Sequence, residues 1–416
     1  MRICLFEDSS VKNLFPLTCL RASFNVKCGV YTSFERIKLF IPKKTKIDFL
    51  CRSEIADITR ETYSGFNVNQ LSNDDYLFIN GKAHFDKDVY KKIDKALDDN
   101  FFIADNNKVL FARISKDKIE NLINNLSINN FILTPETFLN SGISTISDSP
   151  LHHFTISQLN YPWDTIKHFE HFVQPDLETL LKIFPKTTKT PKKVDFINPK
   201  NIRIGKKVKF SPNVVLDASE GSIIIDDNTN IESFVYIKGP VYIGKNCLLK
   251  SGLKLYGPSY IGEMCKIAGE IGESIFDSYV NKQHEGFVGH SYVSPFVNLG
   301  ADTVTSDLKN NYSKLKLNFN GELIDTGMQF LGTIFGDHTK TGINTMLNTG
   351  TITGIFANIF GGGFPAKEIP SFSWYETGKE NVKYDLDKGL ETAKTVMYRR
   401  KVEMSSAYED LVRSYY

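Results

Sequence analysis

Eight aliphatic residues stand six apart along one stretch of the chain: Ile225, Ile231, Ile237, Ile243, Leu249, Leu255, Ile261 and Ile267. With about one residue in four aliphatic, such a run at a chosen phase arises by chance on the order of once in 10^5. A period of six matches neither a helix nor a simple strand. It matches a parallel β-helix, in which each hexapeptide forms one flat side and its aliphatic residue points into the bore. Ile204, Phe210 and Leu216 form an earlier coil, and three extra residues break the phase before Ile225. After Ile267 a two-residue slip leads to Phe287, Val293, Leu299 and Thr305. A weaker phase returns at Phe335, Thr341, Leu347, Thr353 and Ile359. Glycine follows the register residue at Gly205, Gly244, Gly262 and Gly300, where a Cβ would crowd a corner. The longest interruption, about Ser306 to Phe330, predicts an extruded loop. Within it, Asn318-Phe319-Asn320-Gly321 predicts a hairpin arm with an Asn-Gly turn.

The first 185 residues lack this period. Ile3-Cys4-Leu5-Phe6 and Tyr76-Leu77-Phe78-Ile79 are short apolar runs of the kind buried strands show. Phe101-Phe102-Ile103 and Val109-Leu110-Phe111 are further strand candidates, and Asp88 to Asp98 reads as a surface helix. Strands alternating with helices predict an α/β layered domain over 1–185. Pro185 to Lys193 predicts a linker to a coil over 198–370. Leu390, Ala393, Val396 and Met397 recur at helical spacing, which predicts a C-terminal helix over 384–416.

At 416 residues the chain holds two or three domains. Fifty basic residues against 48 acidic ones give no dominant basic footprint, so no nucleic-acid partner is expected. No apolar run approaches a membrane span and the first residues lead into a strand, so no membrane partner is expected either. Cys4, Cys19, Cys28, Cys51, Cys247 and Cys265 show no disulfide or C-x-x-C spacing, which predicts a reducing cytoplasm.

The segments Lys238 to Gly244 and Gly257 to Gly262, with the run His284 to Thr303, resemble the coil of the bifunctional N-acetylglucosamine-1-phosphate uridylyltransferase/glucosamine-1-phosphate acetyltransferase family. Pro16-Leu17-Thr18, Arg21 and Pro162-Trp163-Asp164 resemble the first domain of a subgroup of its sugar-nucleotidyltransferase relatives. The resemblance implies a Rossmann-like nucleotidyltransferase domain joined to a left-handed β-helix, assembled as a homotrimer. It implies acetyl-CoA as cosubstrate, with sugar phosphates and nucleotides as ligands.

Residue by residue, the resemblance makes His284 the general base that takes a proton from the sugar amine. An imidazole suits this, because its ordinary pKa lies near physiological pH. Asn298 matches a sugar-holding asparagine and Ala301 a residue beside acetyl-CoA. His284 also reads as a solvated corner residue, Asn298 as a corner asparagine in the left-handed region, and Ala301 as small because its corner is tight. The family tyrosine three residues after the histidine is Phe287 here. The family Glu-x-Lys pair reads Glu270-Ile271-Gly272, leaving Lys254, Lys266 or Lys282 to meet a sugar phosphate. In the first domain, Gly81-Lys82 stands where the family has the Mg²⁺-binding Gly-Asp, and Lys82 can instead meet a phosphate. Arg21 and Lys27 read either as a phosphate clamp or as an ordinary surface pair. Trp163 reads as a packing residue and Asp164 as a helix N-cap. His284, His290 and His338 lie in one region, but residues six apart fall on adjacent coil sides, so no metal site is expected. The expected function is a transferase of sugar-nucleotide metabolism; the alternative is a non-catalytic binding or assembly protein.

Overall fold

A computed structural model describes residues 1–96, 98–105, 108–128, 130–146, 156–187 and 191–416. The chain divides into two compact units. One holds residues 1–26, 31–162 and 405–415; the other holds 27–30, 163–404 and Tyr416. The linker expected over Pro185 to Lys193 lies partly outside the described residues.

The first unit is built on a seven-stranded sheet. Its order is Asn67–Val68, Ile47–Leu50, Arg2–Phe6, Tyr76–Asn80, Lys108–Ile114, Phe101–Asp105 and Ser144–Thr145. The first four strands run parallel, and Lys108–Ile114 runs antiparallel to both its neighbours. Arg2–Phe6 and Tyr76–Asn80 are buried throughout, which is why they read as unbroken apolar runs. The chain moves from Arg2–Phe6 to one side of the sheet and returns to the other at Tyr76–Asn80. The carboxyl ends of these two strands therefore mark a topological switch point, where open α/β sheets hold their ligands. Helix Ser33–Phe40 is started by a capping box between Thr32 and Glu35. The expected helix near Asp88 is Lys87–Ala96.

The second unit is a coil with three sides of short parallel strands, consistent with the left-handed β-helix implied by the resemblance. One side stacks nine strands, from Ile202–Ile204 to Glu368–Ile369. The hexad residues align rung on rung: Ile225 with Ile243, Ile243 with Ile261, Ile231 with Leu249, and Leu249 with Ile267. All eight are buried in one core cluster. A Cβ at Gly300 would lie 2.4 Å from the Gly342 carbonyl oxygen, which explains the glycine at that corner.

One corner column takes the left-handed backbone region at Tyr279, Phe296, His338, Phe356 and Phe372. Their rings stack from rung to rung at centroid distances of 4.8, 5.0, 4.5 and 5.4 Å. Such contacts favour order beyond the area they bury.

The phase expected after Ile267 holds at Val293, Leu299 and Thr305 and fails at Phe287. The inward residues are Ile271, Phe276, Lys282, Val288 and Val293. Phe287 faces outward, aligned with Glu270, while Val288 is fully buried. The corners between Ile267 and Phe276 are shorter than a full hexad, and the register advances with them.

The Ser306–Phe330 excursion carries the expected hairpin, Lys316–Phe319 against Glu322–Asp325, with Asn320 and Gly321 at positive φ. Trp163 is buried and packs edge-on to Phe319 of this arm at 5.3 Å. Trp163 itself is the N-cap of the short helix Asp164–Lys167, so Asp164 lies in the first turn and not at the cap. The C-terminal region forms two helices where one was expected. Leu386–Tyr398 lies in the coil unit, and Ser406–Ser414 in the α/β unit. Among the described residues, no helix is long and apolar enough to cross a membrane.

Candidate functional site

The switch point of the α/β unit is filled with charge. Glu7 and Asp8 follow Arg2–Phe6, Arg52 follows Ile47–Leu50, and Lys82 follows Tyr76–Asn80. All four are buried. Arg52 Nη1 donates to both carboxylate oxygens of Glu7, at 2.7 and 2.9 Å. The Arg52 guanidinium also donates to the Thr18 carbonyl, which ties the Pro16-Leu17-Thr18 segment to the same centre. Lys82 Nζ lies 2.9 Å from Asp8 Oδ1 and also donates to Ser10 Oγ. Asn80 Nδ2 donates to Asp8 Oδ2 at 2.7 Å. Burial alone would raise the Asp8 carboxyl, but the Lys82 charge and the hydrogen bonds from Lys82, Asn80 and Ser10 together hold Asp8 below its ordinary value. Burial pulls the Lys82 ammonium below its own, and Asp8 limits the drop.

This donor set does not fit magnesium. Mg²⁺ wants several oxygen ligands, carboxylates and waters. Here both acidic residues are already engaged by cations, and an ammonium stands where the resemblance has an aspartate. No step through a metal is derived from it.

Arg21 and Lys27 fall in different units. Arg21 donates to the Leu17 carbonyl at 3.2 Å. Lys27 donates to the Val30 carbonyl at 3.3 Å and lies over the Tyr260 ring at 5.2 Å.

On the coil, His284 occupies an exposed corner between strands Asn281–Lys282 and Phe287–Gly289. It lines an open groove of about 470 Å³, together with Ala301, Gln283 and Lys250. Among the described residues its ring has no hydrogen-bond partner. Asn298 lines a neighbouring cavity, and Gln283 lines both. Asn298 is not in the left-handed region; it bridges Asn281 and the residue above it, Lys340. The structure thus brings His284 and Ala301 into one groove and sets Asn298 beside it. Lys254 and Glu270 pair with each other on adjacent rungs at 3.3 Å, in a solvent-exposed bridge.

Lys282 is the residue whose place the sequence did not reveal. It occupies an inward position, aligned with Ile267, and is fully buried. Its ammonium donates to the carbonyl oxygens of His284 and Glu285, at 2.7 and 3.2 Å. The corner that presents His284 is therefore tied to the bore by a buried cation. Burial pushes the Lys282 pKa down to about 8, against the pull of Glu285 and Asp302. Following the column upward from Ile267 would have exposed this lysine, had the shortened corners been legible.

Two other histidines are engaged structurally. His290 Nδ1 lies 2.8 Å from Asp307, its Nε2 contacts Glu273, and its ring stacks on Phe330. Burial lowers its pKa, but the hydrogen bonds to Asp307 and Glu273 outweigh this and raise it to about 9. The ring is then an imidazolium at neutral pH and cannot serve as a base. His338 lies between Phe296 and Phe356.

Residues 3–183 match the sugar nucleotidyl transferase family. A bifunctional sugar-1-phosphate nucleotidylyltransferase/acetyltransferase of Sulfurisphaera tokodaii is 32% identical over 152 residues. That match covers 36% of this chain and 38% of the relative, so the chain spans well under half the length of the protein it resembles. Among solved structures, an Arabidopsis UDP-N-acetylglucosamine acyltransferase aligns with 51% of this chain and 80% of its own. Its identity is 14% and its TM-score 0.22, too slight a likeness to support any inference.

Two consequences are measurable. Lys82→Met leaves a buried, unpaired Asp8 and is expected to cost about 3–5 kcal/mol. Adding Asp8→Asn restores much of that loss, as read by denaturant unfolding of both variants. An additive double variant would show that the pair is not coupled. Lys282 gives a pH signature. Its folded pKa, about 8, lies below the ordinary lysine value of 10.5, so the folded state binds fewer protons between them. Its contribution is therefore least favourable below pH 8 and improves as pH rises to 10.5. The stability of the wild type relative to Lys282→Met should rise by about 3 kcal/mol across that window. A flat difference would contradict the buried cation.

Proposed function

We propose that this chain is an enzyme of sugar-nucleotide metabolism, whose coil transfers an acetyl group from acetyl-CoA to the amine of an amino sugar or amino-sugar phosphate. The observation that carries the reading is the corner groove, lined by His284, whose ring has no hydrogen-bond partner among the described residues, and by Ala301. The sugar nucleotidyl transferase match over residues 3–183 supports the substrate class. In this scheme the amine nitrogen attacks the thioester carbonyl as His284 accepts its proton. The C–S bond breaks, and the proton passes from His284 to the departing CoA thiolate. Ala301 leaves room beside the thioester. Asn298, which lines the neighbouring cavity, would hold sugar hydroxyls, with Lys254 and Glu270 as further candidates on the adjoining side.

For the α/β unit, the Asp8–Lys82 pair favours binding of a nucleotide or sugar phosphate through Lys82, Arg21 or Lys27 over metal-assisted transfer. Pyrophosphate release from UTP or dTTP with a sugar-1-phosphate distinguishes transfer from binding. We place the protein in the cytoplasm, in keeping with six buried cysteines that form no disulfide.

The direct test incubates purified protein with acetyl-CoA and a panel of amino sugars and their phosphates, and measures free thiol. Release should occur with at least one acceptor and fall about 10²–10⁴-fold in His284→Ala. Release equal to that of the variant for every acceptor would rule the reading out. We also infer a homotrimer, since a second coil alongside would close a groove that one chain leaves open. Light scattering should give about three times the 47.1 kDa chain mass, and a monomer mass would contradict it.

A further inference from the structure

Beside the His284 groove, four cations converge where no acidic residue lines the space: Lys266, Lys340, Arg399 and Arg400. They surround a cavity of about 250 Å³ between one side of the coil and the end of helix Leu386–Tyr398. On the coil, the outward column over four successive rungs reads Lys266, Asn281, Asn298, Lys340. Two lysines thus bracket two carboxamides. Asn281 Nδ2 donates to Asn298 Oδ1 at 2.5 Å, and Arg400 Nη2 donates to Asn281 Oδ1 at 3.3 Å. Arg399 and Arg400 come from the residues that end the helix.

Three other lysines on the coil are answered by a glutamate. Lys238 pairs with Glu220 at 2.6 Å, Lys250 with Glu232 at 3.1 Å, and Lys254 with Glu270 at 3.3 Å. Lys266 and Lys340 break that pattern. Among the described residues neither forms an ion pair, and the Lys340 ammonium donates to the His338 carbonyl at 3.0 Å. Burial lowers Lys340 to about 8. Burial also lowers Lys266, and the charges of Arg400 and Arg399 lower it further. Gathering like charges in a partly buried space is unfavourable unless an anion joins them.

We propose that this cavity binds the phosphate group of a small phosphate ester, held between the lysines of the coil and the paired arginines of the C-terminal helix. Guanidinium groups suit the task because they meet a phosphate through two parallel hydrogen bonds, and lysines add point charge. Asn281 and Asn298 then offer donors and acceptors to hydroxyls on the organic part of the ligand. The volume admits a small ester and not a polymer. The ester could be a phosphorylated sugar or the phosphate-bearing end of CoA. The site does not depend on His284 acting as a base.

Isothermal titration calorimetry on the full chain, at constant ionic strength, tests this. The probes are pyrophosphate, glucosamine 1-phosphate, CoA, and the unphosphorylated controls glucosamine and pantetheine. Phosphate-bearing probes should bind, and their controls should bind at least tenfold more weakly. The double variant Arg399→Gln/Arg400→Gln should weaken binding at least tenfold. Lys266→Gln, on the coil itself, should also weaken it and stands in if the helix variant unfolds. A preference for glucosamine 1-phosphate over CoA assigns the site to a sugar phosphate; the reverse preference, with pantetheine weaker than CoA, assigns it to the cosubstrate. No binding of any phosphate probe at millimolar concentration, or unchanged affinity in folded variants, overturns the proposal. Thiol release that persists in those variants leaves the acetyl-transfer reading intact.

Discussion

Burial of one aliphatic residue per hexapeptide is the constraint on which the coil depends. Each side of the coil is too short to be stable alone and is held by the rungs above and below it. Ile225, Ile243 and Ile261 stack in one column, and Ile231, Leu249 and Ile267 in another. Because the bore fixes the sides, it also fixes the corners, and the candidate chemistry stands on corners. His284 is presented at one, and a ladder of aromatic rings runs along another.

Against that dry interior, Lys282 is the informative exception. A cation in an aliphatic column is costly unless its hydrogen bonds are met. Here they are met by the carbonyls of the two residues that turn the His284 corner. The same atoms that make the lysine tolerable make the corner rigid. The α/β unit shows the opposite arrangement. At its switch point the charges satisfy one another, as Glu7 with Arg52 and Asp8 with Lys82. At the switch point the charges are closed into pairs; beside the coil, Lys266, Lys340, Arg399 and Arg400 line a space that holds no acidic residue.

The periodic part of the fold was legible in the chain because a strict repeat needs only one residue type in every six positions. The Asn320-Gly321 hairpin and the apolar strands Arg2–Phe6 and Tyr76–Asn80 were legible for equally local reasons. What was not legible depended on lost residues and long-range partners. Shortened corners after Ile267 turned Phe287 outward and Val288 inward. The break between the two C-terminal helices set Arg399 and Arg400 against the coil, far from them in sequence. Asp8 and Lys82 meet only because strands distant in sequence lie side by side. His284 and Ala301 were named from resemblance, and the fold places both at one groove.

A buried lysine holds the corner carrying His284. Amide hydrogen exchange, read by mass spectrometry on the wild type and Lys282→Met, reports on that corner. Exchange should be faster in the variant only around 283–289, with the flanking strands of the coil as protected as before. Unchanged protection at that corner, or loss spread evenly along the whole coil, would contradict it.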